Sequence, residues 1–446
     1  MLELADLRGT KVFEDATVEN VIPVVMKRPI GDGQPTPTDD GTVKIERYNQ
    51  STGELKEASR IPQVFFHELP MSRIRMDMDD AAMEIVRRME SSSIRFGDIC
   101  YVNWGLRTGT KERTDTMIID RPLTVRYRRL LRGEDVIDRY DMKIPERYID
   151  YDLENLYNPM FPEFFENEKI VVRKICGKRG LMVALDRSGA YCFSTLIACV
   201  PHSKLQGLKR QGIIAPTAQG ARQDDIRFLT AILNSSVIGW YYQLMLSDGL
   251  SVVPNDVKNL PVPLIDFCID ETERRRQAED AMSRLLVSMD SGDPIATAGV
   301  LETYLALDPS VKYHLVALLA EEMTKSMGQI RSSVEQFLMW LQSSSGVGRS
   351  LAQFKKWAEI ETYYDSELLG TESGLREIEK VLKANQVRLG SALTTGLNEE
   401  YRASAKVLLP LRTRVQTLDA AIDSLCLDLY GVDKLAFEQA RLRLLG

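Results

Sequence analysis

The forty residues from Asp224 to Pro263 (DDIRFLTAILNSSVIGWYYQLMLSDGLSVVPNDVKNLPVP) constrain the fold more than any other stretch. Ile226, Leu229, Leu233, Val237, Trp240 and Leu244 recur at three- and four-residue steps, which predicts a helix with one apolar face. Asp224 or Asp225 supplies an N-cap, and Gly249 falls where a left-handed end is expected. Asn234-Ser235-Ser236 interrupts good helix formers with side chains that compete for backbone hydrogen bonds, so a kink is predicted there. Val252-Val253 reads as a short extended piece, and Pro261-Val262-Pro263 as a rigid exit. Such a helix packs across a sheet and fixes the loop beyond it. From periodicity alone, that is ordinary core packing.

The remaining chain gives this helix ample material to pack on. A length of 446 residues implies two to four domains, and 44% hydrophobic with 27% charged residues is a normal globular balance. No run of eighteen apolar residues occurs, and the start MLELADLRGTK lacks a basic region followed by an apolar segment, so a cytoplasmic protein without membrane contact is expected. Cys100, Cys176, Cys192, Cys199, Cys268 and Cys426 form no C-x-x-C pair, and with only His67, His202 and His314 no zinc pattern assembles. They read as free thiols in a reducing compartment. The net charge of −7 argues against a surface coated for nucleic acid. Residues 95–265, however, hold 24 Lys and Arg against 20 Asp and Glu, a balance of +4 that leaves −11 for the flanks. A mildly basic centre between acidic arms suits local phosphate contact.

Residues 1–60 contain Lys11–Thr17, an apolar strand within VENVIPVVMK, and a hairpin pairing TVKIERYN with ELKEASR around Ser51-Thr52-Gly53. Residues 61–95 are a connector with a helix over 77–90, its face formed by Met78, Ala82, Ile85, Val86 and Met89. Residues 96–265 form an antiparallel, β-rich domain: a strand over 96–105, a strand over 169–175 returning over 181–186, and another over 190–200. Residues 266–446 read as helices, with Ser343–Gly348 as a linker and His314 as packing. The fold class is therefore α+β.

Basic residues gather at turns of the central domain. Gly105–Lys111 places Arg107, Thr108 and Lys111 on a glycine-flanked loop, which is either a hairpin turn or a phosphate-facing loop. It fits neither a P-loop nor a dinucleotide fingerprint. Arg126, Arg128, Arg129 and Arg132 lie among apolar positions; their forks suit phosphate oxygens and guanine edges, or surface pairing with Glu134, Asp135 and Asp138. Arg173 and Lys174 precede a tip carrying Lys178 and Arg179 between Gly177 and Gly180. Asn158-Pro159-Met160-Phe161 departs from the Asn-Pro-Pro-Tyr motif of amino-methyltransferases at its last two positions and reads as a loop.

Ala231–Ser235, Trp240-Tyr241-Tyr242 and Lys258-Asn259-Leu260-Pro261-Val262-Pro263, preceded in order by the Gly105–Gly109 loop, Leu130–Val136, Lys169–Arg173 and Tyr191–Leu196, resemble the TaqI-like specificity domain of type IIG restriction-modification enzymes and adenine-specific DNA methyltransferases. Lys11–Val18 is similar to the last hairpin of such an enzyme's catalytic lobe, and Leu429-Tyr430-Gly431 to its ending. The resemblance implies double-stranded DNA as the partner and adds Lys258 to the DNA-binding candidates above. It further implies a chain that starts after most of the catalytic lobe, which would bind S-adenosylmethionine and methylate an adenine turned out of the duplex. It also implies a role in phage defence, alongside a separately encoded methyltransferase or nuclease chain. This sequence shows no catalytic, cofactor or metal residues, so the chain is expected to bind DNA without transferring methyl groups. The competing reading is a non-enzymatic interaction subunit in which the helical third docks a partner. A type I specificity subunit would need two copies of the central pattern, and only one is present.

Overall fold

A computed structural model describes residues 3–7, 21–25, 41–68, 74–76, 78–177, 180–247 and 249–445. Near the N-terminus β1 (Glu3–Asp6), β2 (Val21–Val24), β3 (Thr42–Asn49) and β4 (Glu54–Pro62) form a sheet in the order β2-β1-β3-β4. The predicted hairpin is β3–β4, antiparallel, closed by Gly53 in the left-handed region at φ 73°. Lys11–Val18 lies outside the described residues. The connector helix α1 (Asp80–Ser91) buries Ala82, Met83, Ile85, Val86 and Met89, and Asp79 caps it by accepting from the Ala82 amide at 2.8 Å.

The central region is built on two sheets. The chain first lays down β5 (Ser93–Arg95), β6 (Cys100–Trp104), β7 (Ile118–Ile119) and β8 (Tyr127–Leu131). Next come β9 (Val136–Asp138), β10 (Asp141–Met142) and β11 (Tyr148–Asp150). Then follow β12 (Lys169–Arg173), β13 (Val183–Asp186), β14 (Tyr191–Cys192) and β15 (Leu196–Pro201). One sheet runs β13-β12-β15-β6, all antiparallel, and the other β14-β8-β11-β7. The strand expected over 96–105 starts later: Phe96–Ile99 is a helical turn, because the Phe96 amide is drawn to the Leu260 carbonyl (2.9 Å) and the Asp98 carboxylate accepts from the Arg95 amide (3.3 Å). The strand expected over 190–200 divides in two. β14 pairs with β8 and β15 with β12, so Phe193–Thr195 carries the chain from one sheet to the other.

Alternation along β12 shows why the first sheet is buried on both faces. Ile170 and Val172 join an apolar cluster with Phe228, Leu229 and Leu233, whereas Val171 joins a second cluster with Leu130, Ile149 and Tyr191. Each fully buried aliphatic side chain of this kind contributes about 1.5–3 kcal/mol.

The central stretch folds largely as its pattern predicts. Helix α2 (Ile226–Asn234) packs on β12 and β13, with Asp225 as its cap. The chain breaks at Ser235 (φ −66°, ψ 149°), and α3 (Ser236–Tyr241) continues into a π-helical turn, Tyr242–Leu246. The break is held from outside: Arg139 donates to the Asn234 carbonyl (2.7 Å), and the Ser236 amide donates to Asp423 (2.7 Å). Val252-Val253 is the expected extended piece, with Val253 at φ −120° and ψ 157°, and leads into α4 (Pro254–Lys258), where the Asp256 carboxylate accepts from the Val253 amide (3.2 Å); the exit β16 (Pro261–Pro263) pairs with β5.

Beyond it come α5 (Glu271–Asp290), α6 (Pro309–Ser344) and α7 (Ser391–Leu429), the last with Pro410 inside it. They share the larger apolar cluster with the central helix rather than standing apart. Tyr430, after α7, donates its hydroxyl to the Pro261 carbonyl at 2.7 Å, and Arg88 donates to the Gly431 carbonyl at 2.8 Å. The tail motif thus closes on the exit strand. The cysteines are free thiols, as expected.

Asp141 on β10 is buried and ion-pairs with Arg331 of α6. Burial raises its carboxyl to about 6, against the pull of the guanidinium. Because the folded value lies above that of an exposed aspartate, the folded chain holds the proton more tightly. Its contribution to stability is therefore present at low pH and lost as pH rises through 6. Asp141→Asn is expected to lack this increment, so the wild-type-minus-variant difference in urea midpoint should grow as pH falls from 7 to 4. A difference independent of pH would contradict the assignment.

Candidate nucleic-acid interface

The register of the first sheet defines an end. Arg173 lies opposite Leu196, and Ile197 opposite Trp104, so β6 and β12 finish where β15 begins. Backbone bonds then gather the flanking loops. The Gly105 amide donates to the Leu196 carbonyl (3.0 Å), and the Lys174 amide to the Thr195 carbonyl (3.2 Å). The Gly133 amide donates to Thr195 Oγ1 (2.9 Å), and the Val252 amide to the Lys174 carbonyl (2.9 Å). The loop after the π-helical turn, with Gly249 at φ 79° and Leu250 largely exposed, therefore arrives beside Lys174. Gly105 is required here, since a Cβ would lie 2.2 Å from the Cys192 carbonyl oxygen.

Three predicted residues, Arg107, Arg132 and Lys174, come together at this end. Lys174 Nζ sits 5.6 Å from the ring centre of Trp104, and the Arg132 guanidinium 5.5 Å from that of Phe193. Both rings are half-buried. Lys174 and Arg132 are half-buried as well. Cation–ring contacts run from about 0.5 kcal/mol when exposed to about 2 kcal/mol when desolvated, no more than a charge-assisted hydrogen bond of about 1.5–3 kcal/mol from a phosphate or base edge would return. Arg132 Nε is buried without a partner, and its Nη1 makes a long ion pair with Glu134 at 3.9 Å. Arg107 is exposed beside them, its backbone paired with Asn158 at 2.9 and 3.1 Å. Lys111, also exposed, opens the short helix Lys111–Met117. Among the described residues no carboxylate pairs with Arg107, Lys111 or Lys174.

The other predicted residues are placed differently. Thr108 is buried, its hydroxyl bonded to that of Thr114, so it shapes the loop and does not face solvent. Arg126 is held by Asp150 (2.7 Å) and Asp152 (3.2 Å), and Arg129 by Glu146 (3.1 Å) and the Tyr148 hydroxyl (3.1 Å). Arg128 lies over Tyr191, bonded to the Val125 carbonyl and 3.9 Å from Glu166. The arginine run is therefore largely ion-paired, Arg132 with the neighbouring Glu134 that its sequence suggested and Arg126, Arg128 and Arg129 with carboxylates farther along the chain. Arg173 turns inward to the Val136 carbonyl (3.4 Å) and the Met182 sulfur. Lys258 packs against Gly97 in the helical turn before β6, at the opposite end of that strand from Trp104, which lies about 13 Å along it from Cys100. Lys178 and Arg179 lie outside the described residues, between Gly177 and Gly180, whose backbones bond to each other.

Sequence reasoning missed Trp104 and Phe193. Each immediately neighbours a turn and stands close to a cation only after the sheets are assembled, although an aromatic beside Gly105 was a usable signal. A cavity of about 670 Å³ lies elsewhere and is lined by charges of both signs, including Arg222, Asp224, Asp225 and Arg274. His314 in its wall accepts from Arg274 Nε (2.9 Å), and burial together with the neighbouring arginines lowers it to about 4, so it is neutral at pH 7. This agrees with a packing role. Among the described residues no group of three or more His, Cys, Asp or Glu side chains is placed to hold a metal ion, and no helix is long and apolar enough to cross a membrane.

The two sheets thus gather Arg107, Arg132 and Lys174 beside the half-buried rings of Trp104 and Phe193 at one rim. Residues 128–262 match the family model of the TaqI-like C-terminal specificity domain. This segment is a DNA sequence-specificity domain of a methyltransferase-type enzyme. The match takes in Arg132, Lys174, Phe193 and the whole central stretch up to Val262. Trp104 and Arg107 lie before it but complete the same sheet end. No curated protein matches the chain.

Proposed function

We propose that the chain reads duplex DNA for a site-specific adenine methyltransferase or type IIG restriction-modification enzyme, holding the duplex for a catalytic lobe carried elsewhere. In this reading residues 96–265 are the recognition domain, and the helices of 266–446 brace it. S-adenosylmethionine belongs to the other lobe, and no residue of this chain is assigned to it. One observation carries the reading: Arg107, Arg132 and Lys174 converge at one sheet end beside Trp104 and Phe193, within or next to a specificity domain. Holding the duplex firmly has a purpose, because turning out a base costs on the order of a few kcal/mol of stacking.

The test is paired. The purified chain should bind duplex DNA in fluorescence anisotropy, with affinity falling steeply between two salt concentrations. The same preparation should transfer no radiolabelled methyl groups from S-adenosylmethionine to DNA. Binding insensitive to salt contradicts the first half, and methyl transfer by the chain alone contradicts the second.

A further inference from the structure

The loop from Gly207 to Gly212 presents a second pair of cations that the recognition site does not use. Both glycines take positive φ, 86° and 82°, so the chain turns sharply at each end of Leu208-Lys209-Arg210-Gln211. Leu208 and Ile213 are partly buried against the second apolar cluster and pin the loop's base, while Lys209, Arg210 and Gln211 are exposed. The Arg210 guanidinium rests 4.8 Å over the ring of Phe161. Phe161 itself belongs to a three-ring cluster with Tyr101 (5.7 Å) and Phe164 (5.6 Å). Gly212 lies against the same shelf; a Cβ there would come within 3.3 Å of the Tyr101 ring.

Among the described residues no carboxylate pairs with Lys209 or Arg210. Lys204, five residues earlier, is by contrast committed to Glu168 at 2.8 Å. An arginine already bonded to two carboxylates has little charge to offer a polyanion. These two have all of theirs. Their shelf is linked to the interface through Phe161, three residues past Asn158, the backbone partner of Arg107.

We infer that Gly207–Gly212 is a phosphate arm, with Lys209 and Arg210 gripping the sugar–phosphate backbone of the duplex flanking the bases read at the sheet end. The inference rests on the DNA-recognition reading. Two long, exposed cations on a glycine-hinged loop suit phosphates, which fix register without reading sequence. The guanidinium parked on Phe161 keeps the loop ordered until DNA replaces the ring.

The test uses the full chain and a mixed-sequence duplex, titrated by anisotropy across a salt series. Lys209→Ala/Arg210→Ala should lower the slope of log affinity against log salt by about 1.8, close to 0.9 for each phosphate that is no longer neutralised. The exchange Lys209→Arg/Arg210→Lys should keep the wild-type slope, which separates removal of charge from a disturbed loop. An unchanged slope in the alanine pair, with Arg107→Ala/Lys174→Ala still weakening binding, overturns the arm and leaves the recognition site standing. Wild-type chain that binds no duplex at all overturns both.

Discussion

Arg107→Ala/Lys174→Ala is expected to weaken duplex binding by at least about 100-fold. Each cation is free of carboxylate partners, so each would supply one charge-assisted hydrogen bond of about 1.5–3 kcal/mol. The triple change Arg126→Ala/Arg128→Ala/Arg129→Ala removes one more positive charge yet should alter affinity by less than about threefold, because Asp150, Asp152 and Glu146 already neutralise most of that run. Anisotropy titrations of both variants at one salt concentration decide the matter. Equal losses would mean that net charge, and not the convergence at the sheet end, governs binding. A larger loss in the triple variant would move the interface to β8.

The second large effect concerns stability. Lys169 and Asp186 are wholly buried and pair at 2.5 Å across β12 and β13, at the end of the sheet away from the interface. Lys169 also donates to the Phe165 carbonyl, and Asp186 accepts from the amide and hydroxyl of Ser188. Asp186→Ala leaves a buried ammonium without its counter-charge, which costs about 3–5 kcal/mol. Chemical denaturation should show that loss. The double change Lys169→Met/Asp186→Leu should recover most of it, since an apolar pair of similar volume requires no desolvated charge. A single variant as stable as the wild type would show that water reaches the pair.

The sequence was most legible where a pattern is local. Periodicity placed the apolar face of α2, and the competing side chains of Asn234-Ser235-Ser236 placed its break. Turn residues placed the β3–β4 hairpin, and alternation placed β12. Assembly between sheets was not legible. Residues 190–200 read as one strand because every position is compatible with burial, and only the pairing of Tyr191-Cys192 with β8 splits it. The site divides in the same way. Arg107, Arg132 and Lys174 were visible as cations beside turns, but so were Arg126 and Arg129. Nothing near Arg126 in sequence shows that Asp150 and Asp152 will meet it from β11 and its following turn. Trp104 and Phe193 became part of the site only because β6 and the β14–β15 crossover end together.

Selection of bound duplexes from a randomised library tests sequence recognition most directly. Wild-type chain should enrich a defined base motif over successive rounds. Arg132→Ala, which removes a fork able to read guanine while leaving Lys174 and Arg107 in place, should relax preference at one position within it. A library that stays random after wild-type selection, despite salt-sensitive binding, would contradict the account, because the sheet end would then grip DNA without reading it.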